Sequence, residues 1–385
     1  MNITAKVWCA LFVAACLLAM AIIIGTNYIL DPYGYFLNTH YGQSGQEPIS
    51  VRNAKIRYIK ENPDVYTGFI IGGSRTGALD PALASEYTGL SFYNFCFPFG
   101  YQEDYEMLVD LIIAHTQARH IILQLNGQEI QERGRESKGV EHLYALDGKA
   151  SSKVAELTTV LLYAPIRKLL NFILKKPEYI PRVQSNGMIE YIGQYNPTEA
   201  ASLGFVEKTI TPVFQSLYQR IFLEKTAADF PMREFFFESL LRVREKCAMN
   251  DIKLTVLLAP SSVYVLAETE SPLYWDYLRN MAAITGFYNF NGYSPYNFNP
   301  YNFVDSAHYR KEMGDKILRV IFNQEEAIDD WGVLASKSTI DAYLERRKSR
   351  YFTLKKSYEE TGAIPLGTMN DASFIPLKIT RSDAL

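Results

Sequence analysis

At 385 residues the chain is long enough for one large domain carrying an insertion, or for two domains. Its net charge of −3 gives no electrostatic support for a nucleic-acid partner. The 27 tyrosines and 22 phenylalanines suit a protein that handles sugars or lipids, although plain core packing uses the same residues.

Residues 7–30, VWCALFVAACLLAMAIIIGTNYIL, carry no charge and are long enough to cross a bilayer as one helix. Lys6 lies on the short side and Asp31 is the first charge beyond. The positive-inside tendency then predicts a single-pass protein with residues 31–385 outside the cytoplasm. A cleaved signal peptide is the competing reading, but the apolar run is long for one and no small-x-small site follows it cleanly. Val13-Ala14-Ala15-Cys16 resembles a lipoprotein cleavage box, yet the apolar run continues well past Cys16. Outside the anchor only Cys96 and Cys247 remain, enough for at most one disulfide. The absence of CxxC spacing and of Cys/His clusters argues against structural zinc.

Residues 31–62 read as a juxtamembrane segment ending in a short helix, SVRNAKIRYIKEN. Beyond it, strands are predicted at 67–72, 91–95, 119–125, 252–258 and 286–290. Most are apolar throughout, as expected of parallel strands buried on both faces. Helical patterns between them include QEDYEMLVDLIIAHTQ and SPLYWDYLRNMAAIT, and this alternation predicts a doubly wound α/β fold over residues 63–324. The third and fourth strands stand roughly 125 residues apart, far more than a crossover needs, so residues 131–245 are predicted to be a mainly helical insertion. Within it, Ile166, Leu169, Leu170 and Ile173 form a helical stripe beside Arg167, Lys168, Lys175 and Lys176. Such a helix either packs on its own domain or lies on anionic lipid. Residues 325–385 read as an extension, helix-prone and charged at first, then irregular.

The first strand runs into Gly72-Gly73-Ser74-Arg75. In a parallel sheet this is where active sites form, and Gly-Gly permits a tight turn with backbone N–H groups free to hold an anion. Taken alone, Ser74 reads as a helix cap. A serine nucleophile needs a base, and only five histidines exist: His40, His115, His120, His142 and His308. His308 has Asp305 three residues before it and an amphipathic helix after it. On a helical turn those two positions share a face, which would let the carboxylate orient the imidazole. Arg75 reads either as a functional group, contacting an anion or carbonyl of the substrate or positioning the serine loop, or equally as the salt-bridge partner of a nearby carboxylate such as Asp80. The stretch GFYNFNGYSPYNFNPYNFVD (286–305) alternates Tyr, Phe and Asn, types that stack on sugar rings and bond hydroxyls. The same Asn and Pro also make turns and the aromatics also fill cores, and the stretch as a whole is read as a wall of the site.

With Gly73-Ser74-Arg75 after the first strand and Asp305-x-x-His308 before the last helix, the chain resembles the SGNH (GDSL-like) hydrolases over about residues 65–322. It is most similar to their anchored envelope branch of DltD-type and O-acetylation proteins. The resemblance implies a three-layer, flavodoxin-like parallel sheet. It also implies Ser74 as nucleophile, His308 as general base and Asp305 as its orienting acid. The implied oxyanion hole comprises the Ser74 amide, Gly100 and Asn126, with Gly127 where the family usually has Asp. No metal or cofactor is implied. The expected function is acyl transfer or ester hydrolysis on an envelope polymer or glycan, with acetyl and D-alanyl both open. The expected partners are that polymer, membrane lipid through the N-terminal helix, and a membrane-bound O-acyltransferase. The alternative is a non-catalytic protein that keeps the fold to bind the polymer or the acyltransferase.

Overall fold

The computed structural model describes residues 3–30, 51–97, 102–127, 150–162, 182–183, 185–190, 222, 234–304, 308–367, 370–373 and 375. The chain divides into two compact units, Met1–Glu61 with Arg135–Ser185, and Asn62–Gly134 with Asn186–Leu385.

In the first unit, α1 (Ile3–Leu30) is a helix of 28 residues. At 1.5 Å per residue it exceeds the roughly 30 Å of a bilayer's hydrocarbon core. Its apolar stretch Thr4–Ile29 is long and apolar enough to span a membrane. Helix α2 (Val51–Glu61) corresponds to the predicted juxtamembrane helix. The amphipathic segment at 166–176 lies outside the described residues.

The second unit is an α/β structure with a mixed, mostly parallel six-stranded sheet. Its elements are β1 (Gly68–Gly72), α3 (Pro81–Thr88), β2 (Phe92–Cys96), α4 (Gln102–His115) and β3 (His120–Leu125), with α5 (Ala150–Leu162) belonging to the first unit. Then follow α6 (Glu234–Met249), β4 (Lys253–Leu258), α7 (Val263–Thr269), α8 (Pro272–Ile284), β5 (Phe287–Asn289) and α9 (Pro295–Phe298). The last elements are α10 (Lys311–Ile321), β6 (Val333–Ala335) and α11 (Ile340–Thr361). All five predicted strands are present. The sixth, β6, was not predicted; it has three residues and pairs antiparallel with β5.

The sheet order is β2-β1-β3-β4-β5-β6, and every pair except β5–β6 is parallel. Strands β1, β2 and β3 are buried along their whole length, which is why they read as continuous apolar runs. Ile70, Ile122 and Leu257 pack with Ala84 of α3 and with Met313, Ile317, Leu318 and Ile321 of α10. Helices α4 and α6 pack together and lie against β1 and β4 respectively. The chain passes from β1 outward to β2, then back across β1 to β3. The order therefore reverses between β1 and β3, the position at which open α/β sheets form ligand crevices.

Candidate active site

Two residues after the paired positions Gly72 and Gln124, the carboxyl ends of β1 and β3 present Ser74 and Asn126. Ser74 opens a short 3-10 turn, Ser74–Ala78. Gly72 is demanded by crowding: a Cβ there would stand 2.1 Å from Thr76 Oγ1 and 2.9 Å from the Gln124 carbonyl oxygen. Asn94 of β2 pins the turn from the side. Its Nδ2 donates to the Thr76 and Leu79 carbonyls at 2.9 and 2.8 Å, and its Oδ1 accepts from Cys96 N at 2.7 Å. The buried Cys96 thiol donates to the Gly73 and Ser74 carbonyls at 3.4 and 3.5 Å.

The Ser74 hydroxyl does not cap a helix. Asp80 caps α3 instead, its Oδ1 accepting from Ala82 N at 2.8 Å. Ser74 Oγ lies 2.8 Å from His308 Nε2, within the range required for proton transfer. With the serine donating, Nε2 is the accepting nitrogen and Nδ1 carries the ring proton.

His308 is itself non-helical, and the turn expected to join it to Asp305 lies outside the described residues. Helix α10 begins three residues later, with Arg310 as its N-cap. Val304 N donates to the His308 carbonyl at 2.8 Å, and Phe303 and Tyr309 form an isolated antiparallel bridge. Behind it the buried Tyr309 hydroxyl donates to Gln124 Oε1 at 2.6 Å, tying the histidine loop to β3. Burial pushes the Tyr309 phenol up, opposed by the nearby Arg75 charge. Asp305 and Gly100 lie outside the described residues.

Arg75 is 4% exposed, and its Nη1 donates to Ser261 Oγ at 2.9 Å. Ser261 is in turn held by Asn291, whose Oδ1 accepts from Ser261 N at 3.1 Å, and by Asn297, whose Nδ2 donates to its carbonyl at 2.8 Å. Of the readings open for Arg75, this burial fits positioning of the serine loop better than contact with substrate. Asp80 pairs with Lys311 Nζ at 2.9 Å.

Asn126 directly follows β3, and its Oδ1 is buried. The next residue, Gly127, has φ +77°, a left-handed turn that favours glycine and accounts for its place there. The asparagines of the 286–305 stretch differ from the expected sugar-facing wall. Asn289, Asn291, Asn297, Asn299 and Asn302 are between 0 and 3% exposed. Most spend their amides on backbone groups in and around the loop, so they frame it from within.

Of the other histidines, His115 ends α4 and His120 is buried, its Nε2 2.9 Å from Thr255 Oγ1. Burial, with the Lys253 charge, lowers the His120 pKa to about 4, so it stays neutral inside the fold. His40 and His142 lie outside the described residues. Cys96 and Cys247 are buried and not joined in a disulfide, and burial raises Cys247 to about 11. Among the described residues no cluster of His, Cys, Asp and Glu could hold a metal.

The supporting residues Asn94, Gln124, Ser261 and Tyr309 were not found from sequence. Asn94 and Gln124 did leave a signal, since each is the only amide in its strand, FYNFC and HIILQL. Comparison with family models and with curated proteins returns no match.

Proposed function

We propose that this protein is a membrane-anchored serine esterase or acyltransferase of the SGNH type that acts on a cell-envelope polymer. The observation that carries the reading is the 2.8 Å contact between Ser74 Oγ and His308 Nε2 at the carboxyl end of a parallel sheet. The strand order 2-1-3-4-5 is also that of flavodoxin-like sheets, which supports a three-layer fold of that kind.

In this reading the Ser74 hydroxyl passes its proton to His308 Nε2 as Oγ attacks an acyl carbonyl carbon. The resulting oxyanion is held by the Ser74 amide, with the Gly100 amide and Asn126 Nδ2 in the roles the resemblance implies. Collapse breaks the bond to the leaving oxygen, which takes the proton from His308, and leaves an acyl ester on Ser74. His308 then takes the proton of a glycan hydroxyl or water as that oxygen attacks the ester, and passes it to Ser74 Oγ as the bond between the acyl carbon and Oγ breaks. Asp305 is assigned to orient the imidazole. Helix α1 fixes the domain beside its polymer, and Lys6 on the short side favours an extracytoplasmic domain. A membrane-bound O-acyltransferase is the proposed source of acyl groups.

The test is treatment of the detergent-purified full chain with a fluorophosphonate, followed by peptide mass spectrometry. A stoichiometric adduct on Ser74, lost in Ser74→Ala and His308→Ala, is the expected result. An unmodified Ser74 under conditions that label a serine hydrolase control would overturn the enzyme reading and favour the non-catalytic binding partner.

A further inference from the structure

Helix α5 was read from sequence only as part of a helical insertion. It lies in the same compact unit as α1 and packs against it. The tie is specific: Asn27 Nδ2 donates to the Leu161 carbonyl at 2.8 Å. Asn27 is a polar residue near the end of the apolar stretch, and its side chain is buried. Leu161 stands in the last turn of α5, where carbonyls have no partner within the helix. Each element thus satisfies a group that would otherwise be costly to leave unpaired at a membrane boundary.

The rest of α5 is unusual for a helix on a water-facing surface. Val154 is 64% exposed, Leu157 40% and Leu162 44%. Val154, Leu157, Thr158 and Leu161 fall on one side by helical spacing. The exposed Thr158 interrupts this stripe in sequence but not in chemistry, since its hydroxyl donates to the Val154 carbonyl at 2.7 Å. A threonine closed on its own helix in this way needs no water.

We propose that α5 is an interfacial helix that lies on the bilayer where α1 leaves it, with Val154, Leu157 and Leu162 turned into lipid. The occupant follows from continuity, because the stripe belongs to a helix bonded to the end of the apolar stretch of α1. Lipid at that depth can cover the apolar side chains without a protein partner. The proposal rests on α1 spanning the membrane. Its consequence is that the chain grips the bilayer through two elements, which restrains swivelling about a single helix.

The experiment uses the full chain in nanodiscs of phosphatidylcholine and phosphatidylglycerol. Cys9 and Cys16 are replaced by alanine, leaving only the buried thiols Cys96 and Cys247. Nitroxides are then placed by Val154→Cys, Leu157→Cys and, as a lipid reference, Val13→Cys. Electron paramagnetic resonance compares relaxation by oxygen, which concentrates in lipid, with relaxation by a water-soluble nickel chelate. Oxygen-dominated relaxation at 154 and 157, as at 13, is the expected result. Nickel-dominated relaxation at 154 and 157 with oxygen-dominated relaxation at 13 overturns the proposal while leaving the anchor intact. Protection from both reagents at 154 and 157 also overturns it, assigning the stripe to a protein surface. Nickel-dominated relaxation at all three sites overturns the spanning helix and the proposal together.

Discussion

Gly314 of α10 sits directly against Ala78 of the serine turn: a Cβ on Gly314 would stand 1.9 Å from the Ala78 carbonyl oxygen. This contact brings the helix that follows His308 onto the turn that carries Ser74, and Lys311 reinforces it through its ion pair with Asp80 at 2.9 Å. The 2.8 Å separation of Ser74 Oγ and His308 Nε2, 234 residues apart in sequence, therefore rests on backbone packing as well as on their own hydrogen bond.

Replacing Gly314 with alanine should separate the two elements. Overpacking of this kind costs about 1 to 3 kcal/mol. The expected outcome is a lower thermal unfolding temperature and slower fluorophosphonate labelling of Ser74. Unchanged labelling in a folded Gly314→Ala protein would show that the dyad does not depend on this contact.

On the proposed reading, Ser74→Ala and His308→Ala should each reduce acyl transfer to an envelope polymer by roughly 10³-fold or more, and the double variant should be little worse than either. The measurement is polymer-bound acyl groups in cells at matched protein levels. Wild-type acylation by Ser74→Ala would end the enzyme reading.

Asn126→Ala should cost less than either, roughly 10²-fold to 10³-fold in kcat, if its amide helps hold the oxyanion. KM should change little, because that interaction strengthens only in the transition state. An effect confined to KM would assign Asn126 to ground-state binding.

Asn94→Ala removes the shared partner of the Thr76 carbonyl, the Leu79 carbonyl and Cys96 N. Leaving buried polar groups unsatisfied costs about 1 to 3 kcal/mol each. Denaturant unfolding should show a loss within or above that range, and labelling of Ser74 should slow as the turn loosens. A loss below about 0.5 kcal/mol would show that the turn holds itself.

Acid should weaken the fold in two windows. The His120 pKa is lowered in the folded state to about 4 from an unfolded 6.5, so the unfolded chain binds the proton first and stability falls as pH drops from 6.5 towards 4. Burial raises Glu106, but hydrogen bonds from Arg242, Ser239 and Lys246 outweigh it and hold the carboxyl at about 2. Its stabilisation is present above its unfolded value of 4.5 and is lost as pH falls from there towards 2. Unfolding measured against pH should lose the upper window in His120→Asn and the lower one in Glu106→Gln. Identical profiles in variant and parent would refute the assignments.

Much of the fold was legible in the chain because it is written in local pattern. Strands β1, β2 and β3 are buried on both faces and so appear as unbroken apolar runs, and α1 appears as 24 uncharged residues at 7–30. Ser74 and His308 were legible by chemistry, as a hydroxyl on a glycine hinge and one of few available bases. Strand β6 was not, since three residues pairing at a sheet edge leave no period to read. Nor could pattern tell that Asp80, and not Ser74, caps α3, or that the asparagines of 286–305 face inward. Those outcomes depend on which distant backbone groups arrive beside each side chain. The same holds for Arg75 meeting Ser261 across 186 residues and Tyr309 meeting Gln124 across 185. Such partners become neighbours only when β1, β3 and β4 are in register and α10 has closed on the serine turn, a long-range condition that no local run of residues encodes.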